Sequence, residues 1–276
     1  MVGAAAVGAS SWAATLRLRV AHRHGQSRLL EASHSGPLRI QRPFYPENDG
    51  TPHIYLLHPP GGVVGGDSLT IETEVEAGAA ALVTTPAAGK FYRSDGREAR
   101  QVVTLRVADG AALEWLPQET IAFEDARAAS ALRVELCGQA RFLGWELLCL
   151  GRPACDEVFR RGRFQQRLEV WRDGVPLLVE HGRFEGVALA APWGLAGMPV
   201  LGTLLCAGEV PEAVEPIREL TARRGLLAVS QCAGVLVVRY RGADALEARR
   251  LLQGAWEILR PQVLGKQAVA PRIWAT

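Results

Sequence analysis

Lysine is almost missing from this 276-residue chain: Lys90 and Lys266 are the two present, so nearly all the positive charge is arginine. Read with the Ala and Gly richness, this is codon bias or, because arginine's planar fork suits protein contacts, a sign of interface use. Net charge is scarce as well. Against 31 basic residues stand 29 acidic ones, a formal charge of +2. That leaves no field strong enough to draw nucleic acid or an anionic membrane. The cysteines are few and odd in number: Cys137, Cys149, Cys155, Cys206 and Cys232 include no CxxC pair. They suggest neither a disulfide framework nor a structural zinc site. Cys137, Cys149, Cys206 and Cys232 have apolar neighbours and are expected to be buried; reduced thiols point to the cytoplasm. No apolar run reaches the roughly 18 residues of a membrane-spanning helix. The start, MVGAAAVGASS, lacks the basic region and aliphatic run of a signal peptide. Residues 1–11 are expected to be a disordered tail, with one domain over 12–276.

What is present reads mostly as short strands. Residues 14–20 (ATLRLRV) and 69–75 (LTIETEV) alternate apolar and polar side chains, as half-buried strands do. Residues 54–57 (IYLL) end at Pro59-Pro60, 81–85 (ALVTT) at Pro86, and 112–116 (ALEWL) at Pro117. Further strands are expected over 102–107, 132–137 and 140–150. Residues 163–171, the turn Asp173-Gly174 and residues 175–180 form a hairpin signal. No helical pattern separates these strands, which predicts a stacked or coiled, mainly β body, β-helix-like, rather than a βαβ sheet. No fixed-period repeat is visible. After Pro199 the character changes. Residues 211–224, stopped by Gly225, read as a short helix, 226–230 and 235–240 as strands. Residues 243–259 read as a helix capped by Asp244 and ended by Pro261, with Leu246, Leu252, Trp256 and Leu259 on the face that packs on the core. The expected fold is therefore mainly β with two α-helices near the C-terminus.

The most unusual segment is HPPGGVVGGD, from His58 to Asp67. Two prolines and two glycine pairs fix a backbone path closed to ordinary residues. It lacks the Lys and Ser/Thr of a P-loop, AAGK at 87–90 lacks the first glycine and the final Ser/Thr, and GxGxxG is absent here. Two readings of the residues stay open: a tight structural turn, and an ion-handling site in which His58 imidazole and Asp67 carboxylate face one space. His22 and His24 would likewise share a strand face. Ser68 and Ser130 sit in no GxSxG elbow.

The strings GPLRIQRPFYPE (36–47), YLLHPPGGVVGGD (55–67), TTPAAGKFYR (84–93), WLPQETI (115–121) and GWELLCLGR (144–152) together resemble the signature of the urease accessory protein family UreD, called UreH in some organisms. The resemblance runs from about Trp12 to the C-terminal helix and is looser in the last third. It implies a non-catalytic scaffold with a β-helix-like body and two helices. Such a scaffold binds the accessory protein UreF, through it the GTPase UreG, and sits on the urease apoprotein. It supports GTP-dependent nickel delivery through an internal water-filled passage and binds no cofactor tightly; nickel is cargo in transit.

A passage for a divalent cation needs polar walls, since a bare charge in an apolar medium is prohibitively costly. Carboxylates within apolar strands are therefore the candidates: Asp67, Glu119, Glu146 and Glu180, with His58 as an imidazole. Each competes with a plain role, an exposed strand residue or a carboxylate paired with an arginine such as Arg93 or Arg152. The lack of a CxxC or a His cluster suits transit, because a closed thiolate or imidazole cage would retain the ion. Two rivals stand beside this reading: a hydrolase or lyase with its site at the turn from His58 to Asp67, and an interaction module with no metal role.

Overall fold

A computed structural model of the protein describes residues 11–221, 223 and 225–275. Apart from Ser11, the tail expected over 1–11 lies outside the described residues. The body is a coil of strands that feed two facing sheets in alternation. In chain order they are β1 (Ala13–Arg23), β2 (Gln26–Ser35), β3 (Arg39–Ile40), β4 (His53–Leu57), β5 (Ser68–Val75), β6 (Ala80–Thr84), β7 (Gly89–Phe91), β8 (Ala99–Val107) and β9 (Ala112–Leu116). They continue as β10 (Thr120–Ala122), β11 (Arg127–Leu136), β12 (Arg141–Arg152), β13 (Glu157–Val158), β14 (Arg163–Arg172) and β15 (Val175–Glu185). The C-terminal part holds α1 (Gly186–Ala190), β16 (Val200–Ala207), α2 (Val214–Arg218), β17 (Gly225–Cys232), β18 (Val235–Gly242) and α3 (Ala245–Leu264).

One sheet has the order β15-β14-β11-β8-β5-β1-β2, the other β17-β18-β16-β12-β9-β6-β4-β3. The central ladders are parallel: Ser68 aligns with Arg100, Arg100 with Ala129, and Ala129 with Gln165. These intervals are unequal, and for that reason no fixed repeat shows in the sequence. A third, narrow column closes the coil at one corner. There Lys90 of β7 aligns with Ile121 of β10, and Ile121 with Cys149 of β12, all parallel.

Two apolar cores result. The first lies between the sheets and takes the inward residues of alternating strands, such as Leu16, Ile71, Val103 and Val134. The second lies between the β12–β16–β18 surface and the helices and holds Leu143, Leu204, Tyr240, Leu252 and Trp256. A strand covered on both faces loses its alternation. Hence β9, ALEWL, is buried throughout: Leu113 and Trp115 face the first core, while Leu116 faces the second.

Glu114, on the second side, anchors α3. Arg260, fully buried, donates to Glu114 through Nε (3.0 and 3.1 Å) and Nη2 (2.9 Å), and to Glu47 Oε1 (2.6 Å). Trp256 Nε1 also donates to Glu114 (2.6 Å), and His53 Nε2 bonds Glu47 (2.8 Å). Burial alone would raise the Glu47 carboxyl, but the bonds from His53 and Arg260 outweigh it and hold the group below its ordinary range. Removing one member of such a buried set leaves a bare charge.

Several expectations are corrected. The helix expected over 211–224 is only α2, preceded by a 3₁₀ turn at Pro211–Ala213; Gly225 opens β17 instead of stopping a helix. Asp244 does cap α3, accepting from Leu246 N and Glu247 N, but Pro261 does not end it. The helix runs to Leu264 and closes on left-handed Gly265. Leu246 is 74% exposed, so it is not on the packing face. Cys149 and Cys206 are buried as expected; Cys137 and Cys232 are exposed. His24 is at φ 52° in the β1–β2 turn beside Gly25, so His22 and His24 do not share a strand face. Strands β2 and β16 carry no clean alternation and are additions to the sequence reading. The hairpin of β14 and β15 is present, with Asp173 and Gly174 both at positive φ as its turn requires.

Candidate functional site

The prolines that stop strands also open a cavity. After β4, β6 and β9 the chain leaves the second sheet at residues 58–62, 85–88 and 117–119, then rejoins the corner column at Val63, β7 and β10. Strand β12 spans the whole corner in one piece. Its residues Arg141–Gly144 pair with β9 and Leu148–Leu150 with β10, leaving residues 145–147 without a partner on that side. The corner encloses about 320 Å³. Its walls are mostly apolar, with Leu56, Val63, Ile71, Phe91 and Trp115 among them, and its polar side chains are His58, Thr85, Lys90, Gln101, Gln118, Thr120 and Glu146.

Glu146 is the one carboxylate in that wall. Leu148 and Leu150 of the same strand pack in the first core, so the even positions of β12 point inward, and Glu146 with them. It is 8% exposed and accepts a hydrogen bond from Trp115 Nε1 at 2.8 Å. No cation pairs with it among the described residues. Burial, only partly offset by the Trp115 bond, pushes its pKa up to about 7. His58 is half-buried at the same wall. Desolvation lowers its pKa more than the neighbouring Asp67 charge raises it, which favours the neutral imidazole.

The other candidates are placed elsewhere. Asp67 is buried and its oxygens accept from the backbone: Trp12 N at 2.8 Å and Val64 N at 3.0 Å. It fastens the glycine-rich turn to the start of β1 and makes no hydrogen bond to His58. Gly62 within that turn lets the Tyr92 ring close in; a Cβ there would stand 2.2 Å from it. Glu119 is half-buried near Cys149, whose thiol is pushed up to about 12 by burial and then by the Glu119 charge. Glu180 of β15 is ion-paired with Arg239 of β18. Asp67, Glu119 and Glu180 do not line the cavity. Of the arginines considered as partners, Arg152 pairs with Glu157 at 2.6 Å. Among the described residues, no three His, Cys, Asp or Glu side chains form a group that could hold a metal ion.

The sequence matches the family described as UreD urease accessory protein over residues 13–275. It is similar to urease accessory protein UreD 2 of Brucella anthropi, 46% identical over 272 residues, 97% of this chain and 99% of the relative. Similar too are urease accessory protein UreD of Klebsiella aerogenes, 45% identical over 266 residues (96% and 97%), and that of Dechloromonas aromatica, 45% identical over 277 residues (96% and 95%). The chain belongs to the UreD family of urease accessory proteins. In this UreD-family chain the strings that carry the resemblance are not scattered. Residues 55–67, 84–93, 115–121 and 144–152 are the successive layers of the one corner that holds the cavity. The remaining string, 36–47, ends at Glu47 on buried Arg260.

Sequence reasoning passed over Gln101, Gln118 and Lys90 as cavity residues, and Glu47, Glu114 and Arg260 as the buried ionic set. For Glu114 the signal was available: a carboxylate inside the apolar run ALEWL, as Glu146 is inside FLGWELLCL. No described helix is long and apolar enough to cross a membrane.

Proposed function

We propose that this chain is a non-catalytic, cytoplasmic scaffold of urease maturation. It binds UreF, and through it UreG, on apo-urease, and supports nickel delivery by way of the corner cavity. The observation that carries the reading is Glu146: a carboxylate that pairs with no cation among the described residues, inside a mostly apolar cavity in which Lys90 is the other fully charged lining residue, in a member of the UreD family. An uncompensated carboxylate is costly inside a protein. A pKa near 7 makes the trade of a proton for a metal cation easy in either direction near neutral pH. Neutral His58 adds an imidazole at the same wall. Two donors alone hold an ion weakly, as transit requires, and the amides of Gln101 and Gln118 supply further neutral oxygens. Asp67 shapes the wall by fixing its turn.

Coexpression with urease and its accessory proteins tests this. Glu146→Gln is expected to keep complex formation while urease nickel content, measured by atomic emission, falls several-fold; Glu146→Asp should retain more. Full nickel content with Glu146→Gln would refute passage through this cavity. Failure of the wild-type chain to assemble with any of these proteins would refute the scaffold itself.

A further inference from the structure

Helix α3 has a second organised side. Beside the buried stripe that packs on the sheet, Leu246, Arg249, Arg250 and Gln253 follow the i, i+3, i+4, i+7 spacing that aligns side chains along a helix. Together with Arg223 and Trp274 they line an open cleft of about 720 Å³. Leu246 stands 74% exposed in it.

The charges of this cleft are unevenly committed. Most arginines of the sheets are paired: Arg17 with Glu72, Arg106 with Glu135, Arg133 with Glu169. Arg249 and Arg250 have no ion pair or side-chain hydrogen bond among the described residues. The acidic groups beside them are engaged within the fold. Asp244 accepts from Leu246 N at 2.9 Å and Glu247 N at 3.1 Å. Glu247 accepts from the Tyr240 hydroxyl at 3.0 Å and Arg223 N at 2.6 Å. Asp244 and Glu247 line the cleft too, but Arg223, Arg249 and Arg250 outnumber them, so the balance of charge around the exposed leucine is positive.

We infer that this cleft docks an acidic amphipathic segment of a partner protein, its carboxylates on the Arg249 and Arg250 guanidinium groups and its apolar side chains on Leu246 and Trp274. Guanidinium forks bind carboxylates in two-point fashion, and arginine beside an exposed apolar side chain is a common composition at interface centres. The inference rests on the scaffold reading and adds the chemistry of one contact.

The probe is a fluorescein-labelled helical peptide with leucine on one face and glutamate on the other, titrated onto the purified full chain. Its counterpart carries lysine for glutamate. Binding of the glutamate peptide should weaken with salt and drop about tenfold in Arg249→Glu/Arg250→Glu, since two exposed pairs turn from attraction to repulsion. Leu246→Ser should weaken it as well, and Arg42→Glu/Arg127→Glu, an equal charge change elsewhere, should not. Equal affinity for both peptides, or equal loss in the two charge-reversed variants, overturns the docking site. In co-purification, a charge-reversed chain recovered with urease and accessory proteins at wild-type yield overturns the docking site and leaves the scaffold standing. A wild-type chain that co-purifies with none of them overturns both.

Discussion

Replacing Glu146 by Gln should stabilise the protein at neutral and alkaline pH and leave it nearly unchanged in acid. Gln matches the neutral carboxylic acid in shape and still accepts from Trp115 Nε1. The wild-type group is raised from its ordinary 4.5 to about 7 in the fold. Below about pH 4.5 it is protonated whether the chain is folded or not, and its full stability is present. Between the two values the folded state holds a proton that the unfolded chain has released, so stability falls as pH rises. Above about pH 7 the loss is complete. About 2.5 pKa units correspond to about 3 kcal/mol, or a melting shift of about 6–12 °C for a chain of this size. Urea unfolding of both proteins across this pH range reads the difference directly. A gap that opens with rising pH and levels off above about pH 7 is the expected form. A gap of constant size would mean that Glu146 has the same pKa folded and unfolded, and would refute the raised pKa on which the cavity's electrostatics rest.

Trp115→Phe removes the one side-chain bond that favours the charged form, so the midpoint of that pH dependence should move upward in the same titration. Arg260→Met strands Glu47 and Glu114 in the interior. It should cost about 3–5 kcal/mol near neutral pH; urea melts of both proteins check it. Asp67→Ala leaves Trp12 N and Val64 N without their acceptor and should cost about 2–3 kcal/mol, with faster amide exchange at both residues. Gly62→Ala drives a methyl into the Tyr92 ring and should cost about 1–3 kcal/mol; adding Tyr92→Ala should make the glycine change nearly silent, and independent costs in that double-mutant cycle would contradict the close approach.

The chain by itself determined the local elements whose causes are local. Alternation placed β1 and β5, prolines marked where β4, β6 and β9 stop, Asp173-Gly174 fixed a hairpin, and Asp244 capped α3. The resemblance to UreD rests on strings that are equally local. Where an end depends on neighbours, the reading failed. Pro261 reads as a stop, yet α3 continues to Leu264, its C-terminal turns held on the sheet by Arg260, bonded to Glu114 and Glu47. Cys137 and Cys232 looked buried because apolar neighbours alternate with them, but each lies at or beside a strand end facing solvent. Only the tertiary structure decided what surrounds each carboxylate. Asp67, Glu119, Glu146 and Glu180 are alike in sequence, each near apolar residues. Folding gives Asp67 to two backbone amides and Glu180 to Arg239, and keeps Glu119 off the cavity wall, whereas Glu146 is turned inward without a cation. The physical reason is that a carboxylate's role is set by the charge and water around it. In a coiled sheet those surroundings come from the next layer, about thirty residues away in sequence, in a register that unequal layer lengths conceal.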